Sequence, residues 1–251
     1  MDVNLKQIRN RLLSIIHDRW YIQQDVMQQL NDKDVKIIPV PNARCGNWYT
    51  TNDQNIESYF KSTDGHKDHW GFNYRRLNLH ILEKILGWDQ EQQIAMIVDS
   101  SKYRQIPDSL SKTIPIWCCV ISLIINKDYF ELGGEINDKK FSDITNYLLE
   151  LPVQMENVKN EAFQIRKQII EFYKQACVYL FDINERLINL LKSQCDISSE
   201  FKLVKIRPSW IYPGHTISIN DLTQNEDTFD SQKVKIFNLL LCSTSSYSRI
   251  S

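Results

Sequence analysis

Ile94-Ala-Met-Ile-Val98, closed by Asp99-Ser-Ser101 and followed by Ile106-Pro-Asp-Ser-Leu-Ser-Lys-Thr-Ile-Pro-Ile-Trp-Cys118, reads as a strand, a polar loop and the start of a helix. The first run is short, apolar and ended by turn formers. The second carries hydroxyls and a lysine between a turn and an apolar stretch that continues to Ile125. A strand-loop-helix unit of this kind lets a phosphate rest on backbone N–H groups and hydroxyls at a helix N-terminus. Upstream, Tyr59-Phe-Lys-Ser-Thr-Asp-Gly-His66 has the same chemistry in another order. Two such cassettes suggest a substrate with several phosphates.

Outward from this unit, Leu5, Ile8, Leu12, Ile15, Ile16 and Trp20 recur at helical spacing, so residues 3–30 open the chain as a helix. Strands are predicted at Asp34–Ile38, ended by Pro39 and Pro41, then at Tyr59-Phe60, His69–Tyr74, Leu77–Ile81 and Ile94–Val98. Helices follow over Ser109–Ile125, Phe141–Leu151 and Val158–Ser193, and strands return at Lys202–Ile206 and Val234–Leu241. The alternation predicts an α/β fold, a mixed sheet flanked by helices, as a single large domain over residues 1–251. Asn220–Ser231, acidic and poor in apolar residues, reads as a mobile loop. Val234–Leu241, close to the chain end, reads as an edge with no following element beside it.

An apolar fraction of 42% is enough for a sizeable core. Thirty basic and thirty-one acidic residues give a net charge of −1, so any nucleic-acid surface must be a local patch. The clusters available are Lys6, Arg9, Arg11 and Arg19; Arg75 and Arg76; Lys102 and Arg104; and Lys202, Lys205 and Arg207. Taken singly, each is equally a solvated face. The six cysteines form no CxxC pair, which argues against zinc. Without a signal-type core or an apolar run of membrane length, the expected compartment is the cytosol, with no membrane or DNA partner.

Asp99, at a strand end, is the first candidate carboxylate, either a general base or an Asx-turn cap. Asp64, before Gly65 and His66, is the second, either catalytic or part of an ordinary Asp-Gly turn. Lys61, Ser62, Thr63, Gly65 and His66 compose a phosphate cradle without the glycines of a Walker loop. Ser100, Lys102, Arg104, Ser109, Ser111, Lys112 and Thr113 are the matching donors of the second cassette. Asp108 reads as an N-cap, but a cap leaves Lys112 unexplained, because a cation in the first turn is disfavoured by the helix dipole and calls for an anion nearby. Trp48, Tyr49, Trp70 and Trp117 are either core or base-stacking rings, and His80 reads as a core histidine. Cys242 is seven residues before Arg249, a spacing that does not fit a cysteine phosphatase loop.

In order and spacing, Tyr59–His66, Arg75-Arg-Leu-Asn-Leu-His80, Ile97-Val-Asp-Ser100 and Pro107–Cys118 resemble the initiator tRNA 2′-O-ribosyl-phosphate transferases of fungi and plants. Cys45-Gly-Asn-Trp-Tyr49 and Ile206-Arg-Pro-Ser-Trp-Ile211 are weaker members of the series. The resemblance implies transfer of a 5-phosphoribosyl group from phosphoribosyl pyrophosphate to the ribose 2′-hydroxyl of a T-stem adenosine, position 64, of initiator tRNA. It also implies magnesium, held by Asp99 and the pyrophosphate. Arg75 and Arg76 fit either the backbone phosphates of an RNA stem or the 5′-phosphate of the donor, because guanidinium forks match phosphate oxygens, and Lys205 and Arg207 are further candidate RNA contacts. Members of that family continue into a phosphatase-like second half, so the chain is expected to be either a fragment truncated before it or an unusually short relative. Two other readings stay open: a catalytically incomplete tRNA- or phosphate-binding fragment, and an unrelated phosphohydrolase.

Overall fold

The computed structural model describes residues 5–32, 35–43, 46–50, 56–86, 92–153, 158–179 and 201–245. In chain order its elements begin with α1 (Leu5–Trp20), a π-helical turn (Tyr21–Val26), α2 (Met27–Gln29), β1 (Val35–Pro41), α3 (Leu79–Leu86) and β2 (Gln92–Asp99). A π-helical turn (Ser109–Thr113) then leads into α4 (Ile114–Ile125), followed by α5 (Lys127–Phe130), β3 (Glu131–Leu132), β4 (Glu135–Ile136), α6 (Asp138–Leu148) and α7 (Val158–Tyr179). The chain closes with β5 (Leu203–Ile211), α8 (Ile219–Thr223), β6 (Glu226–Phe229) and β7 (Gln232–Ser243).

Four strands run parallel in the order β1-β2-β7-β5, and β6 pairs antiparallel with the start of β7. Both faces are covered. Ala95, Ile97, Leu239 and Leu241 point into one core, with Ile114, Val120 and Ile121 of α4. Met96, Val98, Leu240 and Cys242 point into the other, against Ile22, Val26, Leu30 and Leu222. That two-sided burial is why β2 and β7 read as continuous apolar runs rather than alternating ones. Helix α4 is apolar around its whole circumference because it lies between the sheet and the outer helices α6 and α7.

The α/β class stands, with several local corrections. β1 runs through both prolines: Asn42 donates its N–H to Val98 O, so residues of even number face β2, and Pro39 and Pro41 turn their missing donors to the sheet edge. The expected strands at Tyr59-Phe60, His69–Tyr74 and Leu77–Ile81 do not form. Asn78, at φ 51°, instead holds Tyr59 N and O and Arg76 O with its amide, and α3 starts directly after it. β7 is not an edge: it lies between β2 and β5, hydrogen-bonded to both. Asn220–Ser231, expected as a loop, lies instead in α8 and the β6 hairpin. The predicted helix continues from Val158 to Tyr179, and its remainder lies outside the described residues. On α1 the apolar stripe of Leu5, Leu12, Ile16 and Trp20 faces outward, and the helix buries Asp18 instead. No described helix is long and apolar enough to cross a membrane.

Candidate active site

In an open parallel sheet the crevice at the carboxyl ends of the strands is the natural ligand site, and here those ends are locked to one another by side chains. Asn42, fully buried after β1, donates from Nδ2 to Asp99 Oδ2 at 2.8 Å and to Phe60 O at 3.0 Å, and accepts Phe60 N–H at 2.8 Å. Asp99, 2% exposed, takes the Ser100 N–H on Oδ1 at 2.8 Å, while Ser109 Oγ donates to Oδ2. Thr244 N–H donates to Asp99 O at 3.1 Å, extending the β2–β7 pairing past the last residue of β7. The following loop is tied down by Ser101 N–H to Ser245 Oγ at 2.7 Å and by Ser243 Oγ to Gln105 O, two atoms in close contact. Asp99 is therefore a bracket joining both cassettes to the sheet. Asn42, its partner, was legible only as the first polar residue after an apolar strand.

The two cassettes meet. Ser62–Gly65 forms a 3-10 turn against Ser109–Thr113, and Thr113 Oγ1 donates to Lys61 O at 2.9 Å. Gly65 sits so close that a Cβ there would lie 2.6 Å from Asp108 O and 2.7 Å from Thr113 Oγ1. Asp108 is not a cap: it lies in helical conformation without a side-chain cap bond, and its carboxylate collects Arg104, Lys112 and His66. Lys112, 4% exposed, stands 3.2 Å from Asp108 Oδ1 and 3.4 Å from Glu161 Oε2 of α7. The anion that Lys112 called for is thus supplied by the protein itself. Glu161 lies far along the chain in a helix with no motif, and no sequence signal marked it.

Ser62 is half-buried and Thr63 exposed on the 3-10 turn, while Ser111 is enclosed in the π-helical turn. Ser100 is half-buried, and Lys102 projects to solvent with its Nζ 4.9 Å over the Tyr103 ring. Asp64 lines a small pocket with Lys61, Asn73, Arg76 and Thr113, and its Oδ2 is enclosed without a hydrogen-bond partner among the described residues. Buried polar atoms are as a rule hydrogen-bonded, so this oxygen, where the two segments join, is one of the few the described residues leave unsatisfied.

Compared with known protein families, residues 1–251 match the Rit1 N-terminal domain throughout. The chain belongs to that family. It is 30% identical over 253 aligned positions, 96% of its length, to the tRNA A64-2′-O-ribosylphosphate transferase of Saccharomyces cerevisiae, and the match takes in 43% of that protein. It is 43% identical over 131 positions, 51% of its length, to an uncharacterized protein of Schizosaccharomyces pombe, there 26% of the relative's length. The chain thus spans less than half of the curated relatives it matches. No solved structure matches it.

Within this Rit1 domain, two of the four expected RNA-contact residues are used internally. Lys205 is buried, ion-paired to Glu150, and donates to Tyr147 O at 3.0 Å. Arg207 holds Asn238 Oδ1 at 2.8 Å, Gln224 O at 3.1 Å and the Asp221 carbonyl, fastening α8 and β6 to the sheet. Neither is offered as a free cation: Lys205 is itself buried, and Arg207, half-buried, is taken up by acceptors of the protein at the surface. Arg75 and Arg76 lie in a turn rather than a strand, Arg75 exposed and Arg76 with its guanidinium 3.6 Å above the Tyr59 ring. His80 is no core histidine; it is exposed and its Nε2 meets Glu57 O at 2.6 Å. Tyr49, Trp70 and Trp117 are core, whereas Trp48 is exposed. Cys242 is buried, its thiol pushed up to about 12 by desolvation, the reverse of a phosphatase thiolate.

Asp99 does not fit a direct magnesium ligand, because it is 2% exposed and both of its oxygens already accept hydrogen bonds. Among the described residues no group of three or more His, Cys, Asp or Glu could hold a metal ion.

Proposed function

We propose that this Rit1 N-terminal domain is a pentosyltransferase that joins the ribosyl phosphate of phosphoribosyl pyrophosphate to a 2′-hydroxyl of initiator tRNA, the adenosine at position 64 by analogy with its budding-yeast relative. The observation that supports it most directly is the free Asp64 Oδ2 where Lys61–His66 meets Ser109–Thr113. In this reading Asp64 Oδ2 takes the proton of the 2′-hydroxyl as that oxygen bonds to C1′. The bond from C1′ to the pyrophosphate oxygen breaks, and the pyrophosphate leaves with the electron pair. In this reading Lys61, which lines the Asp64 pocket, exposed Lys102 and Arg104, shared with Asp108, are the cations assigned to the developing negative charge, and Ser62, Thr63, Ser100 and Ser111 are the hydroxyl donors assigned to it. Asp99 is a positioning residue: it fixes Asn42 after β1 and Ser109 at the end of the loop after β2. Magnesium enters as the companion of pyrophosphate rather than as an ion caged by the chain, since Mg²⁺ is commonly held by few carboxylates plus substrate phosphates. The free cysteines Cys118, Cys119, Cys177 and Cys242 support a reducing compartment, and we assign the reaction to the cytosol.

The test is pyrophosphate release in the presence of initiator tRNA, comparing Asp64→Asn with Asp99→Asn. Loss of a general base lowers the rate by about 10²–10⁴-fold, and Asp64→Asn should show this at unchanged melting temperature. Asp99→Asn should instead lower the melting temperature. An Asp64→Asn enzyme within about tenfold of wild type would rule out the base role.

A further inference from the structure

Three large aromatic side chains stand in solvent around the carboxyl ends of β1 and β2. Trp48 is 62% exposed on the short turn after β1, Tyr103 73% exposed on the loop after β2, and Tyr59 39% exposed just past Ser58, which bridges Asn42. Each is placed by a fixed backbone. Gly46, two residues before Trp48, is pressed onto the strand ends, where a Cβ would lie 2.3 Å from Val98 O. The Tyr103 loop is pinned through Ser101 to Ser245, and Tyr59 through both its backbone groups to Asn78. Two of the rings carry cations: the Arg76 guanidinium 3.6 Å above Tyr59 and Lys102 Nζ 4.9 Å from the Tyr103 centroid.

We infer that this rim receives unpaired, splayed nucleotides, with Trp48, Tyr103 and the Tyr59–Arg76 pair serving as stacking ledges; the inference rests on the RNA substrate of the proposed function. Base stacking on an aromatic ring or a guanidinium plane needs a free base face, which a regular duplex does not present. Duplex RNA is gripped through phosphates and 2′-hydroxyls, a task for lysines and arginines that gains nothing from indole and phenol rings. Rings beside cations match the other kind of recognition, in which backbone charge and base faces are engaged together. The consequence for the proposed reaction is that nucleotides near the acceptor leave their stack when bound.

Fluorescence anisotropy with a labelled, unstructured RNA oligonucleotide and a blunt RNA duplex of the same length tests this on the whole chain. The oligonucleotide should bind more tightly. Trp48→Ala and Tyr103→Ala should each weaken it by about 5- to 150-fold while leaving duplex binding unchanged. Lys102→Gln should flatten the salt dependence of both. Equal or tighter duplex binding overturns the inference, as do folded alanine variants that keep oligonucleotide affinity, the result expected of rings that dock a protein. Those results with transfer activity retained leave the proposed function standing. Ring-dependent binding by a chain that releases no pyrophosphate would refute the transferase reading and keep this surface.

Discussion

Replacing Asn42 with alanine should do more damage than its position in a turn suggests. Its side chain makes three hydrogen bonds of 2.8–3.0 Å with no exposure to water, two to the backbone of Phe60 and one to the Asp99 carboxylate. Alanine removes all three and leaves their partners enclosed. Phe60 N–H and C=O are stranded in the core, and Asp99 Oδ2 keeps only Ser109 among the donors described above. A buried group without its partner costs about 1–3 kcal/mol. With two groups stranded and one weakened, the total is about 3–5 kcal/mol, since such effects are not fully additive. For a chain of this size each kcal/mol moves the melting temperature by about 2–4 °C, so Asn42→Ala should melt about 6–20 °C below wild type in thermal denaturation followed by circular dichroism. Hydrogen exchange supplies a local readout, with the Phe60 amide losing protection before the strand interiors do. Asn47→Ala is the control, because Asn47 bonds Glu57 at 3.3 Å at the surface and should stay within about 0.5 kcal/mol. A melting temperature within 2 °C of wild type for Asn42→Ala would show, against an expected loss of several degrees, that the bracket does not hold the strand ends together.

Lys112→Met should destabilise by about 1–3 kcal/mol, because it removes the cation shared by buried Asp108, which keeps Arg104, and partly buried Glu161. Adding Glu161→Gln to that variant should recover part of the loss in a denaturant-unfolding cycle, and strict additivity would mean the pair is not coupled. At pH 8 the native thiols of Cys118, Cys119 and Cys242 should resist iodoacetamide and react only after unfolding. Burial raises all three, Cys119 and Cys242 to about 12, so the reactive thiolate is scarce four units below. Rapid labelling of Cys242 in the folded protein, read by mass spectrometry, would contradict its place in the sheet.

What the sequence disclosed was what depends on composition along a single element. The unbroken apolar run of Ile94–Val98 and the all-round apolar character of Ile114–Ile125 follow from burial on every side, so both elements were readable. Strand neighbours were not. Val234–Leu241 looked like an unaccompanied edge because it comes last, yet it pairs with β2 and β5, whose order in the sheet follows from crossovers that leave no local trace. Tyr59–Phe60 and Leu77–Ile81 carry strand-like composition. They were decided instead by Asn78, whose amide holds Tyr59 across nineteen positions of sequence. Lys205 and Arg207 show the same limit for function, since a basic residue on a strand has the same letter whether it meets a phosphate or an acceptor of its own chain.

The two carboxylates of the site illustrate how burial sorts catalytic candidates. A strand-end aspartate is attractive as a base because the strand delivers it to the ligand crevice, but the same placement takes it out of water. An ionised carboxylate in such surroundings is tolerated only if donors surround it, and Asp99 has Ser100, Ser109 and Asn42 for that purpose. Those donors occupy the lone pairs that proton abstraction would need. Asp64 lies on a short 3-10 turn rather than on the sheet, and its Oδ2 lacks such donors among the described residues. What keeps that turn in place is Gly65 against Asp108 O and Thr113 Oγ1 against Lys61 O, contacts that exist because Ser109 is anchored to Asp99. The buried aspartate thus contributes rigidity, and the turn aspartate contributes an enclosed oxygen that no described donor holds. Substitutions at Asp99 should therefore reach the chemistry through geometry, and substitutions at Asp64 should reach it directly.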